Sequence, residues 1–328
     1  MSALAWPATA AAAPAPVLLD GAGVSLASYG GWAAWSRADA STRMYALVTR
    51  SPQGVISPAP VPERSSPFDV ELGPVRGSRV GAVYSRCADD ATRTGCHLLL
   101  LELPSPRAGE RALAPAGGGS DYRPAIWRTQ VAFLRRGSSA AVPDRIFVWR
   151  IGSHAATQLA LPRSRGNGAV GWPAGLTGRV TGLTFNGMQV AYVTSNAVAT
   201  FSETTLWFQS PGRSPELIDQ QTGGAGNVCE PAFVSPLLLG KWLYAYLHAC
   251  DPSANPRLDR LTRYRHGEVQ VARFTFVRFG DEAIASAVPD GNGVDWDAGG
   301  VTRVAPVWWR TVAAPLPQTL CSRGDLFC

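Results

Sequence analysis

A chain of 328 residues with 46% hydrophobic residues is long enough to bury a large core, and 34 glycines with 26 prolines fall short of a disordered or collagenous composition. The formal charge of +6 rests on 29 arginines and the single Lys241. An excess this mild, spread along the chain, argues against a nucleic-acid partner, and no segment is long and apolar enough to form a transmembrane span.

Residues 1–16, M-S-A-L-A-W-P-A-T-A-A-A-A-P-A-P, carry the small-residue run of a signal-peptidase site without a basic start or a long apolar centre. They read as a signal-peptide remnant or a disordered tail. A short strand that closes on an aromatic residue then recurs six times: Trp32 to Trp35, Gly81 to Tyr84, Gln130 to Phe133, Gln189 to Tyr192, Leu243 to Tyr246 and Gly293 to Trp296. The closing aromatics are spaced by 49, 49, 59, 54 and 50 residues, an interval that suits four strands and their turns. Turn residues precede most of these segments, among them Gly30-Gly31, Asn186-Gly187 and Asp290-Gly291, so each aromatic strand follows a tight reversal and is the second of its unit.

Third strands are predicted at Met44 to Thr49, His97 to Leu103, Arg145 to Ile151, Thr205 to Gln209 and Leu261 to Arg265. Fourth strands are predicted at Gln53 to Ile56, Ala156 to Leu161 and His266 to Phe274. The sixth unit has three strands, Ala283 to Val288, Gly293 to Asp297 and Val301 to Trp308, after which Pro315 and Pro317 argue against another. Its missing strand is expected from the N-terminal segment at Val17 to Leu19.

The fold expected is therefore all-β: a six-bladed β-propeller of four-stranded antiparallel blades over residues 17–310, closed by the N-terminal strand, with a tail at 311–328. The aromatics Trp35, Tyr84, Phe133, Tyr192, Tyr246 and Trp296 read as packing between neighbouring blades, since residues repeated at one place in every unit serve the fold. Units such as Asn186-Gly187-Met188-Gln189-Val190-Ala191-Tyr192-Val193, followed by Leu206-Trp207-Phe208, and Pro143-Asp144-Arg145-Ile146-Phe147-Val148-Trp149 resemble those of TolB-like and WD-repeat-like propellers.

The six cysteines fall in three local pairs, Cys87 with Cys96, Cys229 with Cys250, and Cys321 with Cys328. Fifteen connectivities exist, and neighbour pairing is favoured because the first and third pairs bracket short polar loops. Disulfides point to an oxidising compartment, hence to a secreted or cell-envelope protein. The four histidines are scattered and no C-x-x-C occurs, so no metal site is expected.

Signatures of chemistry are absent. No Walker A loop, G-x-S-x-G, H-E-x-x-H or H-x-H is present. Gly166 to Gly171 matches G-x-G-x-x-G, but Trp172-Pro173 follows where a helix should start, so the segment reads as a loop and no cofactor is expected. Asp290 to Asp297 reads as a hairpin turn rather than a calcium loop. Arg257 to Arg265 reads as a solvated outer strand, and Arg323-Gly324-Asp325 as a chance tripeptide. No catalytic, cofactor-binding or metal residue is singled out. The expectation is a monomeric, non-catalytic scaffold that binds a protein or glycan partner at one rim. The alternative is a propeller hydrolase or lyase with a dispersed site, favoured if perturbed carboxylates, His and Arg cluster at the channel mouth.

Overall fold

The computed structural model describes residues 17–77, 79–104, 109–115, 117–137, 142–162, 178–198, 201–223, 232–239, 242–248, 260–265, 272–278, 284–290, 293–298 and 305–311. Every regular element among them is a strand, and neighbouring strands pair antiparallel. Four four-stranded sheets run in chain order. The first holds β5 (Glu71–Pro74), β6 (Val80–Arg86), β7 (His97–Leu103) and β8 (Arg111–Leu113). Next comes β9 (Asp121–Trp127), β10 (Gln130–Arg135), β11 (Arg145–Arg150) and β12 (Ala156–Gln158). The third has β13 (Arg179–Phe185), β14 (Val190–Val198), β15 (Phe201–Gln209) and β16 (Glu216–Gly223), and the fourth β17 (Ala232–Leu239), β18 (Trp242–His248), β19 (Arg260–Arg265) and β20 (Ala272–Arg278).

The two ends of the chain share a seven-stranded sheet. Its order is β21 (Ile284–Asp290), β22 (Gly293–Ala298), β23 (Ala305–Thr311), β1 (Val17–Tyr29), β2 (Trp32–Asp39), β3 (Met44–Arg50) and β4 (Ile56–Pro58). Strand β1 is long enough to serve both sides: Val17 and Leu18 pair with Trp309 and Trp308, while Ala27 to Tyr29 pair with Ala34 to Trp32.

The first strands lie against one another in succession, β1 on β5, β5 on β9, β9 on β13, β13 on β17, β17 on β21, and β21 on β1. Sheets arranged this way form a propeller, with those six strands innermost. Because every sheet is covered on both sides, the second strands are continuous apolar runs rather than alternating ones, and β6 is buried from Val80 to Ser85. Alternate residues serve alternate neighbours. Ala82 and Tyr84 join Ala27, Ala34, Leu47 and Phe68 on one side. Val83 joins Val131, Phe133 and Trp149 on the other. The next interface holds Ala132, Leu134, Tyr192 and Trp207, and the one after it Ala191, Val193, Leu243, Ala245 and Tyr264. Each large side chain sealed in this way contributes about 1.5–3 kcal/mol.

The third strands occur where the spacing predicts them, His97–Leu103 residue for residue. The fourth strands differ. Gln53 to Val55 form the turn ahead of β4, whose reversal is fixed by the Ser51 N–H to Val55 carbonyl bond, and β20 begins at Ala272. Strand β19 lies between β18 and β20 with Thr262 and Tyr264 buried, so it is an interior strand and not a solvated outer one. Asp290 pairs with Gly293 across a two-residue hairpin, as the turn reading expects.

Candidate functional site

The innermost strands carry most of the irregular backbone. Their pairing slips between Val24 and Ala27, opposite Arg123, between Val180 and Gly182, between Val234 and Leu237, and between Ile284 and Ser286. A bulge re-aims the side chain at the extra residue. On β9 that residue is Arg123, in the left-handed region at φ 47° with Pro124 behind it.

Asp69, just ahead of β5, holds this bulge. Its Oδ2 accepts the Arg123 backbone N–H at 2.8 Å and the Ser85 hydroxyl at 2.6 Å, and its Oδ1 accepts the Ser85 N–H at 2.7 Å. Arg93 reaches the same carboxylate from the loop between β6 and β7, with Nη1 4.0 Å from Oδ2 and its guanidinium 5.5 Å over the Tyr122 ring. Arg179 is exposed at the start of β13. Burial and the neighbouring Arg93 guanidinium push the Arg123 pKa down, Asp69 opposes this, and Arg179 adds to it.

The loop that delivers Arg93 is a built object. Cys87 and Cys96 are joined by a disulfide at its base, and paired backbone bonds join Asp89 and Thr94. The Asp89 carboxylate accepts the N–H groups of Ala91 and Thr92 and the Thr92 hydroxyl, and these bonds hold its pKa below the usual range. Ser120 docks the loop on the propeller: its hydroxyl donates to the Arg93 carbonyl at 2.6 Å and accepts the Cys96 N–H at 2.9 Å. Asp90 pairs with the buried guanidinium of Arg64, which also donates to the Ser85 carbonyl.

Deeper along the innermost strands lies Glu71, whose carboxylate accepts the Thr184 hydroxyl of β13 at 3.4 Å. The side chain keeps some solvent contact, yet it is so closely surrounded that desolvation pushes its pKa up to about 8. Glu71 is thus neutral at pH 7. Burial and then the Asp144 carboxylate raise the pKa of the Tyr122 hydroxyl, and burial and then Glu110 raise that of Tyr84.

Antiparallel connectivity sorts the loops between two rims. First and second strands are joined by tight turns, such as Gly30-Gly31 with both φ values positive, while the second-to-third loops and the sheet-to-sheet connections leave from the other end. That end carries Asp69, Arg93, the start of β9 and the start of β13. A cavity of about 280 Å³ at the tight-turn end is lined by Val75, Arg76, Leu100, Glu102, Arg111 and Arg128.

Of the residues singled out in the sequence, Trp35, Tyr84, Phe133 and Tyr192 are fully buried, the last three in clusters shared with the preceding sheet and Trp35 among residues of its own sheet. In the fourth sheet the residue of β18 in the corresponding cluster is Ala245, and Tyr264 of β19 fills the space. Tyr246 and Trp296 stand on β18 and β22, with side chains outside the described residues. Cys229, Cys250, Cys321 and Cys328 also lie outside them, as do Gly166 to Gly171 and Arg323 to Asp325. Among the described residues no group of His, Cys, Asp or Glu is placed to hold a metal ion. Sequence reasoning missed Asp69, Glu71, Arg93, Arg123 and Arg179, which come from four separate stretches and form no motif. The one available signal was proline within innermost strands, Pro74, Pro124, Pro236 and Pro289, which marks sheet edges.

These features define a β-propeller. No family model matches the chain, and no curated protein does. Among solved structures it is similar to a puromycin hydrolase at 15% identity and TM-score 0.50, over 94% of this chain and 57% of that one. A puromycin hydrolase bound to PGG gives 14% identity and TM-score 0.51, over 92% and 55%. The propeller domain of the trilobed protease from Pyrococcus furiosus gives 10% and 0.47, over 88% and 78%. The likeness is one of fold, and the chain spans little more than half the length of the puromycin hydrolases.

Proposed function

We propose that the chain is a secreted or cell-envelope propeller that serves as a monomeric, non-catalytic scaffold, taking a protein or glycan partner at the rim that carries the long connections. The observation that carries this reading is the meeting of Arg93 and Arg123 at Asp69. The Asp69 oxygens are already engaged by Ser85 and Arg123, which leaves the arginines facing the rim as receptors rather than as partners of a working base. The Cys87–Cys96 bond supports the oxidising compartment. An array of acidic and neutral glycans and peptides tests the function: saturable binding with the ligand recovered intact is expected, and turnover contradicts it.

Six blades are the natural division of the sheets. The Val17 half of β1 completes β21 to β23, and its Tyr29 half begins the blade of β2 to β4. Deleting residues 14–20 should then lower the melting temperature by many degrees, and an unchanged melt excludes this closure.

Glu71 favours a second reading, a dispersed hydrolase or lyase site. A carboxylic acid that is neutral at pH 7, beside Thr184 on the innermost strands, is placed to donate a proton. In that case Glu71→Gln abolishes turnover while leaving ligand affinity within about threefold.

A further inference from the structure

We infer that Arg93 and Arg123 form an oxyanion-binding site at the long-loop rim, the anchor for a phosphate, sulfate or carboxylate group of the partner. The inference rests on the rim-binding reading and adds the chemistry of the bound group.

The charges do not balance from within. Arg93 and Arg123 both stand by the one carboxylate of Asp69, and that carboxylate already accepts three hydrogen bonds, two of them from backbone N–H groups. Arg93 stands 4.0 Å from Asp69, beyond hydrogen-bond reach, and its Nη1 is sealed from solvent with no hydrogen-bond partner among the described residues. The Arg123 guanidinium likewise donates no hydrogen bond among them. Like charges brought together out of water repel strongly, and a buried donor without an acceptor costs free energy. A folded protein keeps such an arrangement where something else supplies the acceptor and the charge.

The backbone points the same way. Arg123 is held in the left-handed region, a conformation that strains an ordinary residue, and Asp69 fixes it there through the N–H bond. The disulfide and Ser120 fix the Arg93 loop. Several independent restraints therefore hold two arginines at one place. A guanidinium presents its N–H groups as a planar fork that matches the oxygens of a carboxylate or phosphate, which a chloride ion cannot occupy in the same way.

The test is thermal unfolding of the whole chain in sodium phosphate, sodium sulfate or sodium acetate, each titrated against sodium chloride at constant ionic strength. An oxyanion that binds the folded state raises the melting temperature along a saturable curve. Response to acetate assigns the site to carboxylates, and response only to phosphate or sulfate assigns it to esters. In Arg123→Gln the dissociation constant should rise at least tenfold, while in chloride alone the variant should melt no lower than wild type because one of two repelling charges is gone. Arg93→Gln on the loop should weaken the response in the same direction, and Arg145→Gln, exposed and bonded to Gln158, should leave it intact. Oxyanion curves that superimpose on chloride, or arginine variants that titrate like wild type, overturn the site. A partner whose binding is indifferent to Arg123→Gln removes the oxyanion site and leaves the rim reading standing.

Discussion

The Asp69 carboxylate accepts the backbone N–H of Arg123 at 2.8 Å although 54 positions separate the two residues in the chain. One carboxylate thereby ties the sheet of β5 to β8 to the innermost strand of the next sheet and sets the direction of the Arg123 side chain. Asp69→Asn keeps the shape but turns one oxygen into a donor and removes the negative charge beside Arg93 and Arg123. A loss of about 3 kcal/mol is expected, read as a lower urea midpoint at unchanged slope. A change within about 0.5 kcal/mol, the range of ordinary surface substitutions, contradicts the role given to Asp69.

Glu71 makes stability depend on pH in an unusual direction. In the unfolded chain it ionises at its ordinary value of 4.5, whereas in the folded protein it keeps its proton to about 8. Folding therefore takes up a proton between those values, and Glu71's contribution to stability is full below 4.5 and falls as pH rises to 8. The decline is on the order of 2–4 kcal/mol. Glu71→Gln should flatten this part of the curve and melt above wild type at pH 8. A wild-type curve that rises from pH 5 to 8, unchanged in the variant, would show that the carboxyl is not neutral.

At Gly73 strand β5 closely approaches β9. A Cβ built there would lie 2.0 Å from the Ile126 carbonyl oxygen, a backbone atom that cannot turn aside. Gly73→Ala should push β5 off β9 and cost about 3 kcal/mol or more, seen in the denaturation midpoint. Gly54, a glycine in a turn, has open space around its Cβ position. Gly54→Ala should therefore cost only the strain of its positive φ, about 1 kcal/mol.

The blades were legible in the sequence, and the reason is physical. Second and third strands are sealed on both faces, so Val80 to Tyr84 and His97 to Leu103 appear as short apolar runs bounded by turns. Innermost strands do not announce themselves. Asp121-Tyr122-Arg123-Pro124 mixes charge, a bulge and a proline, and it is the pairing of Asp121 and Tyr122 with Arg135 and Leu134 that makes it a strand. The aromatic repeat also carries an ambiguity of one residue: in β18 the cluster takes Ala245, next to Tyr246, because Tyr264 supplies the bulk from the adjacent strand. The cluster at Asp69 was out of reach, since positions 69, 93 and 123 meet only once the sheets are stacked.

The Cys87–Cys96 loop links compartment to site. Replacing both cysteines by serine should cost about 2–3 kcal/mol through the freed loop. It should also loosen Arg93 while the Arg64 to Asp90 pair keeps part of the loop in place. Binding should weaken on reduction of the wild-type protein and not on reductant treatment of the double variant. Equal affinity for the oxidised and reduced forms would separate the loop from binding.

Hydrogen exchange of the backbone amides with and without a bound oligosaccharide tests the central claim most directly, with a heparin hexasaccharide as the probe. Binding at the long-loop rim predicts slowed exchange at 87–96, at the start of β9 and at the start of β13, with the turns at 30–31, 128–129 and 151–155 unchanged. Protection confined to those turns, or no protection anywhere at saturating hexasaccharide, contradicts it.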